Sequence, residues 1–259
     1  MEWRDEGLII GIRRHGESAA IVEVMTRDHG RHLGMVRGGR SQRMQPVLQP
    51  GNSVACVWRA RIEEQMGTLT VEPIRTRAAA IMGSGLALQG VNLLGALLRL
   101  LPERDPLPAL FETAEIIASH LDDPAMGPAL MVRLELAVLS ELGFGLDLTE
   151  CAASGVKDDL IYVSPKSGRA VCRAAGEPWR DRLLPLPDFL AATRLEAGAS
   201  HADVLAGFAL TGFFLERDVF GPRGVKPPEA RRAFIAELQR LGSGQSLESL
   251  SGIPLGVTA

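Results

Sequence analysis

Residues 19–39, AAIVEVMTRDHGRHLGMVRGG, set the reading of the fold. Apolar side chains at Ile21, Val22, Val24 and Met25 stop at a turn, Asp28-His29-Gly30, and a second strand over 32–36 closes at Gly38-Gly39. Alternating apolar positions bounded by glycine turns are the signature of short paired strands. Working outward, Gly7 to Arg13 carries the run Leu8-Ile9-Ile10 and ends at His15-Gly16. On the other side comes a polar loop, Arg40-Ser41-Gln42-Arg43-Met44-Gln45-Pro46, then the turn Gln49-Pro50-Gly51-Asn52 and strands over 54–62 and 68–74. Five short strands with a long gap between the third and fourth predict a small Greek-key barrel of the OB type over 1–77, although an SH3-like barrel has a similar pattern.

From Ala78 the period becomes helical. Leu86, Val91, Leu94, Leu98 and Leu101 recur at three- and four-residue spacing, as do Leu110, Ala114, Ile117 and Leu121, then Met131, Leu134, Val138 and Leu142. Further helices are expected over 183–194, 201–220 and, after Pro227-Pro228, 229–241. An insert over 147–180 predicts a hairpin with strands at 160–164 and 169–172. The Gly/Ser-rich stretch 242–259 reads as a flexible tail. Strands first and helices after make an α+β protein: a barrel domain at 1–77, then a helical domain at 78–241 carrying the hairpin insert.

The 259 residues are 46% hydrophobic and 23% charged, which argues against wholesale disorder. Charge is divided unequally. The first 77 residues carry twelve Arg, no Lys and nine acids, net +3, and the remainder is net −6. Between Asp28 and Glu63 there is no acid, while Arg31, Arg37, Arg40, Arg43, Arg59 and Arg61 all fall there. Guanidinium groups fork onto phosphate oxygens, and Gly38-Gly39 lets backbone N–H groups approach an anion. These six arginines are the candidate DNA-binding residues. Trp3 and Trp58 are the aromatic rings of the barrel region apart from histidine, and Trp58 is expected in the core. Binding by arginine more than by stacking predicts tolerance of duplex as well as single strands.

Cys151-Ala152-Ala153-Ser154 and Cys172-Arg173-Ala174-Ala175 have the shape of two zinc knuckles, each lacking its second cysteine. Structural zinc needs four ligands, so a metal-free hairpin is expected. No Gly-x-x-x-x-Gly-Lys-Ser/Thr, Gly-x-Ser-x-Gly or His-Glu-x-x-His occurs, and no catalytic residues or cofactor are assigned. Asp122-Asp123 and Asp158-Asp159 read as solvated turn residues rather than halves of a metal-dependent nuclease site. Arg133, and the group Arg217, Arg223, Lys226, Arg231 and Arg232, are candidates for binding an acidic peptide, set against ordinary cation placement at helix ends. With no apolar N-terminal leader and no spanning segment, a cytoplasmic location is expected.

In order along the chain, Gly7-Leu8-Ile9-Ile10, Gly16-Glu17, Arg37-Gly38-Gly39-Arg40, Gln49-Pro50-Gly51, Glu135-Leu136-Ala137-Val138-Leu139, Leu142-Gly143-Phe144-Gly145 and Cys151-Ala152-Ala153-Ser154-Gly155 resemble the RecO recombination mediator family. That resemblance implies an OB domain followed by a helical domain with a zinc-finger-like insert, from which this chain departs at Ser154 and Ala175. It also implies binding of single- and double-stranded DNA, annealing of complementary strands without a nucleotide cofactor, and loading of RecA in RecF-type repair at the nucleoid. RecR and the acidic tail of single-stranded-DNA-binding protein are its implied partners. A protein-interaction scaffold without direct DNA binding is the alternative from another class.

Overall fold

The computed structural model describes residues 1–62, 64–191 and 199–251. Five strands, β1 (Glu2–His15), β2 (Ala19–Thr26), β3 (Gly30–Val36), β4 (Ser53–Arg59) and β5 (Thr68–Arg75), close into a barrel in the order β1-β2-β3-β5-β4. Neighbours are antiparallel except at the closing seam, where β3 meets β5 in parallel at Met35–Thr68. This order is that of an OB-type barrel and resolves the SH3-like alternative. The seam needs Gly34, since a Cβ there would stand 2.6 Å from that of Leu69.

Leu8, Ile9 and Ile10 are all buried because β1 is covered on both faces. Ile9 points into the barrel with Val22, Val24, Val54, Trp58 and Leu69. Leu8 and Ile10, with Met25 of β2, belong to the core of the helical body instead. An irregularity between Ile9 and Gly11 kinks β1 at the point where helix α2 lands on it. Gly95 of α2 approaches so closely that a Cβ would lie 2.7 Å from the Ile10 carbonyl oxygen. Barrel and helices therefore share one core.

The helical body comprises α1 (Ala78–Gly83), α2 (Gly85–Leu98), α3 (Pro108–Ala118) and α4 (Gly127–Glu141), followed later by α6 (His201–Phe214) and α7 (Glu229–Ser251). Helix α2 starts on a Ser84 side chain that accepts from Ala87 N–H and runs through the centre, packed on β1, α4 and α7. A helix apolar on most sides belongs in the interior. Ser200 and Asp203 form a reciprocal capping box at the start of α6, which passes into a π-helical turn, Leu215–Phe220. No described helix is long and apolar enough to cross a membrane.

The hairpin of the insert is present as β6 (Leu160–Val163) and β7 (Ala170–Cys172), followed by a single turn, α5 (Arg173–Gly176). A third strand, β8 (Leu184–Pro185), pairs with β6. The helix expected over 183–194 is thus corrected to β8 and a short 3-10 turn, Asp188–Leu190, with 192–198 outside the described residues. Pro185 and Pro187 remove two amide donors and push the preceding residues to extended backbone, which forbids a helix. The last helix, expected to end at Leu241, runs on past Gly242 as α7 to Ser251, into the stretch expected as a flexible tail, and residues 252–259 lie outside those described. Isolated glycine costs a helix only about 1 kcal/mol, and Gly242 faces the His201 ring, where a Cβ would collide.

His32 is 5% exposed, meets Trp3 and Trp58 edge-on at centroid distances of 4.9 and 5.6 Å, and its Nδ1 has no partner among the described residues. Burial, followed by the charge of Arg104, pushes its pKa down to about 4. The imidazole is therefore neutral in the folded chain while its unfolded counterpart, near 6.5, takes up a proton. Its contribution to stability is complete above pH 6.5 and is lost as pH falls towards 4. Urea unfolding of the parent chain is expected to show a loss of about 2 kcal/mol between pH 7.5 and 5 from this residue. His32→Phe should remove that increment and leave only the slope from other groups.

Candidate nucleic-acid interface

The β3–β4 connection is a chain of turns rather than an open loop. Gly38 takes a φ of +65°, a conformation suited to glycine. Ser41 N–H donates to the Gly38 carbonyl, Gln45 N–H to Ser41 and Leu48 N–H to Met44. Leu48 is buried in the barrel core and pins the loop from below. Arg40 fastens this loop to the β1–β2 turn: its Nη1 donates to the carbonyls of Gly16 at 3.1 Å and Glu17 at 2.7 Å, while Arg40 N–H donates to Ser18 at 3.0 Å.

Arg37 and Arg43 are exposed and form no ion pair with any described residue. Arg13 and Arg14, also exposed and without ion pairs among the described residues, join them. The antiparallel register sets Arg13 against Ile21 and Arg14 against Ala20, and Ala20 against Val36. The ends of β1, β2 and β3 thus converge. A cleft of about 420 Å³ lies there, lined among others by Ile12, Arg13, Arg14, Arg40, Gln45 and Gln49. Arg13-Arg14 was visible in the sequence as a basic pair before a turn. It lay upstream of the acid-free window, and only strand pairing carries it to the loop.

The other candidate arginines have different surroundings. Arg31, with a side chain 12% exposed, lies between Glu23 at 2.7 Å and Glu103 at 3.3 Å, and donates to the Leu101 carbonyl. Glu23 uses its second oxygen for Arg99 of the helical body at 2.7 Å. Arg59 forks onto Glu2 at 2.9 and 3.0 Å and holds that carboxyl below its ordinary range. Arg61 is exposed and without an ion pair among the described residues. Through Met35–Thr68 and Thr68–Arg59 pairing, Arg59 lies two strand spacings from the end of β3, roughly 10 Å. Trp58 is in the core, with its indole N–H on the Met66 carbonyl at 2.9 Å.

The basic group of the helical body is equally divided. Arg231 forks onto Glu135, a carboxylate with no exposed surface, at 2.7 and 3.0 Å, and Thr211 donates to the same carboxylate. Arg217 pairs with Asp218 at 2.7 Å, donates to the Pro165 carbonyl and lies over the Phe214 ring at 4.7 Å. Arg133 donates to the Phe189 carbonyl at 2.9 Å, and Arg232 pairs with Glu229. Arg223 and Lys226 are exposed. Lys226 edges a groove of about 490 Å³ floored by Pro227, Pro228 and Ile235.

In the insert, Cys151 and Cys172 are buried side by side. Cys172 N–H reaches the Cys151 Sγ at 3.3 Å and the Ser154 hydroxyl lies 3.6 Å from the Cys172 Sγ. Burial pushes the Cys151 thiol up, but N–H groups of Cys172, Ala153 and Ser154 and the Ser154 hydroxyl outweigh it and bring its pKa down to about 6. Two thiols and a hydroxyl, with Ala175 at the fourth position, do not fit the four-ligand set of structural zinc. Asp159 pairs with Arg173 at 3.1 Å and Asp123 accepts the N–H groups of Ala125 and Met126. Among the described residues, no three His, Cys, Asp or Glu side chains gather as a metal site.

A closed five-stranded barrel joined through a common core to a helical body, with a small stranded insert, defines the class. Residues 1–77 match the model of the recombination protein O N-terminal domain, and residues 86–227 that of its C-terminal domain. The chain is 62% identical over 241 residues to the DNA repair protein RecO of Methylobacterium nodulans, covering 91% of this chain and 97% of that one. It is 62% identical over 240 residues to RecO of Methylocella silvestris, covering 93% and 97%, and 58% identical over 240 residues to RecO of Brucella abortus, with the same coverage. This chain belongs to the RecO family, and its role is in DNA repair and recombination.

Because Glu135 is wholly buried, removing its counter-charge leaves an unpaired carboxylate in the core. Arg231→Ala is expected to cost about 3–5 kcal/mol in denaturant unfolding, whereas Arg223→Ala and Lys226→Ala should leave stability within about 0.5 kcal/mol.

Proposed function

We propose that the loop end of the barrel binds the phosphate backbone of single- and double-stranded DNA, with Arg13, Arg14, Arg37, Arg40 and Arg43 as the contact set and Arg61 at its edge. The observation that carries this reading is the meeting of the ends of β1, β2 and β3, which brings Arg13, Arg14 and Arg40 to one cleft beside the loop that bears Arg37 and Arg43. That loop is held by backbone hydrogen bonds and a buried leucine, and none of the five arginines forms an ion pair with a described residue. Arg31 and Arg59, spent on carboxylates, hold the barrel instead. Charge neutralisation lowers the repulsion between two strands, or between a bare strand and a protein-coated one, so annealing and recombinase loading follow without a nucleotide cofactor or catalytic group. The helical body offers partners a separate face. Lys226, at the edge of the Pro227–Ile235 groove, with the exposed Arg223 three residues before it, suits the acidic, apolar tail of single-stranded-DNA-binding protein, and RecR is the second partner expected of a recombination mediator.

Filter binding of an oligo-dT at several salt concentrations tests the barrel site. Five contacts to a single strand give a slope of log K against log salt of roughly −3.5. Replacing Arg37, Arg40 and Arg43 together by Ala should flatten it by about 2 and weaken binding to every sequence alike. Equal slopes for variant and parent would remove the site.

A further inference from the structure

The insert carries a side chain that neither the fold nor the barrel site uses. Trp179 sits on a 3-10 turn, Glu177–Arg182, and is 57% exposed. Burying an indole is among the larger apolar gains open to a chain, so a tryptophan left in water invites an explanation. Its mount is firm. Gly176 lies against the Tyr162 ring, the Tyr162 hydroxyl donates to Glu177 at 3.2 Å, and Leu183 N–H closes the turn on the Arg180 carbonyl at 3.3 Å. Arg182 lies over the indole at 5.8 Å and forms no ion pair with any described residue.

The surroundings favour nucleic acid over protein. Residues 166–182 hold five basic side chains, Lys166, Arg169, Arg173, Arg180 and Arg182, against two acids, in a half of the chain that is otherwise acidic. Some of that charge is already met: Glu177 and Asp181 flank Arg180, Arg173 pairs with Asp159, and Arg169 with Asp147 and Glu150. Lys166 and Arg182 form no ion pair with any described residue. Between Val156 and Phe213, Trp179 is the exposed large apolar side chain among the described residues. A single ring with a guanidinium beside it makes no apolar docking patch. It offers one π-face for a base and one cation for the adjoining phosphate.

We propose that Trp179 and Arg182 form a second contact for single-stranded nucleic acid, stacking one base on the indole while Arg182 meets its phosphate. The inference rests on the barrel reading: if the loop holds one strand, the insert turn engages its complement during annealing. Its test is the intrinsic fluorescence of the full-length chain, whose other indoles are the buried Trp58 and a Trp3 stacked between Trp58 and His29.

Titration with oligo-dT should quench the emission of the parent, more weakly in Arg182→Ala and hardly at all in Trp179→Phe. Trp179→Ala should anneal complementary oligonucleotides about tenfold more slowly, roughly the loss of one stacked base. Its single-strand affinity by filter assay should fall by a similar factor with the salt slope unchanged, because no phosphate contact is lost, and Trp179→Phe should recover most of the annealing rate. Quenching undiminished without Trp179, or annealing at the parental rate in Trp179→Ala, overturns the proposal while leaving the barrel site intact. So does a change of oligomeric state by light scattering with annealing intact, which would make the turn a contact between copies of the chain. A parent that binds no oligo-dT at all sinks the barrel reading first and this one with it.

Discussion

A buried lattice of hydrogen bonds around Asn52 and Arg77 ties the basic loop to the helical body. The Asn52 amide donates to the carbonyls of Pro46 and Val47, closing the loop, and its oxygen accepts from Arg77 and Ala78 N–H, where the helices begin. The Arg77 side chain, 6% exposed, reaches the Gly51 carbonyl at 2.8 Å, the Ser53 hydroxyl at 2.6 Å and Glu115 of α3 at 2.6 Å. Burying a guanidinium costs several kcal/mol unless its donors are met, and here barrel and helix meet them together. The position of the basic loop and the seating of the barrel on the helices are therefore one structural fact.

That coupling changes what the arginines of the barrel do. Those facing the helical body, Arg31 and Arg77, are consumed in holding it, and Glu23 bridges Arg31 to Arg99 across the same junction. Those at the opposite ends of β1 and β3 are left to solvent on a loop that cannot collapse, because Arg40 and Leu48 pin it. Exposed charge on a rigid support is what phosphate recognition needs, since little ordering is left to be done on binding.

The barrel and the order of elements were legible because alternation of apolar residues and glycine turns report pairing directly. The consecutive run Leu8-Ile9-Ile10 reflects a strand covered on both faces, which pattern alone leaves ambiguous with a buried helix segment. Proline chemistry at Pro185 and Pro187 was the signal that a helical period over 183–194 overrode. In the candidate site, the sequence showed where positive charge is dense but not which charges are spent. The partners of Arg59 and Arg231 lie 57 and 96 residues away in Glu2 and Glu135, and the second partner of Arg31, Glu103, lies 72 away, all beyond any local window. Glu23, the nearer partner of Arg31, is eight residues upstream, and strand pairing brings it alongside. Arg13 and Arg14 were hidden for the converse reason, since strand register alone brings them beside Arg40.

Amide hydrogen exchange of the full chain, free and saturated with oligo-dT, tests most directly whether the loop end is the surface that meets nucleic acid. Slower exchange over residues 37–48 and 13–18, with α3 and α4 unchanged, is the predicted pattern. A saturated complex in which those two segments exchange as fast as in the free protein, while protection falls elsewhere, would contradict it.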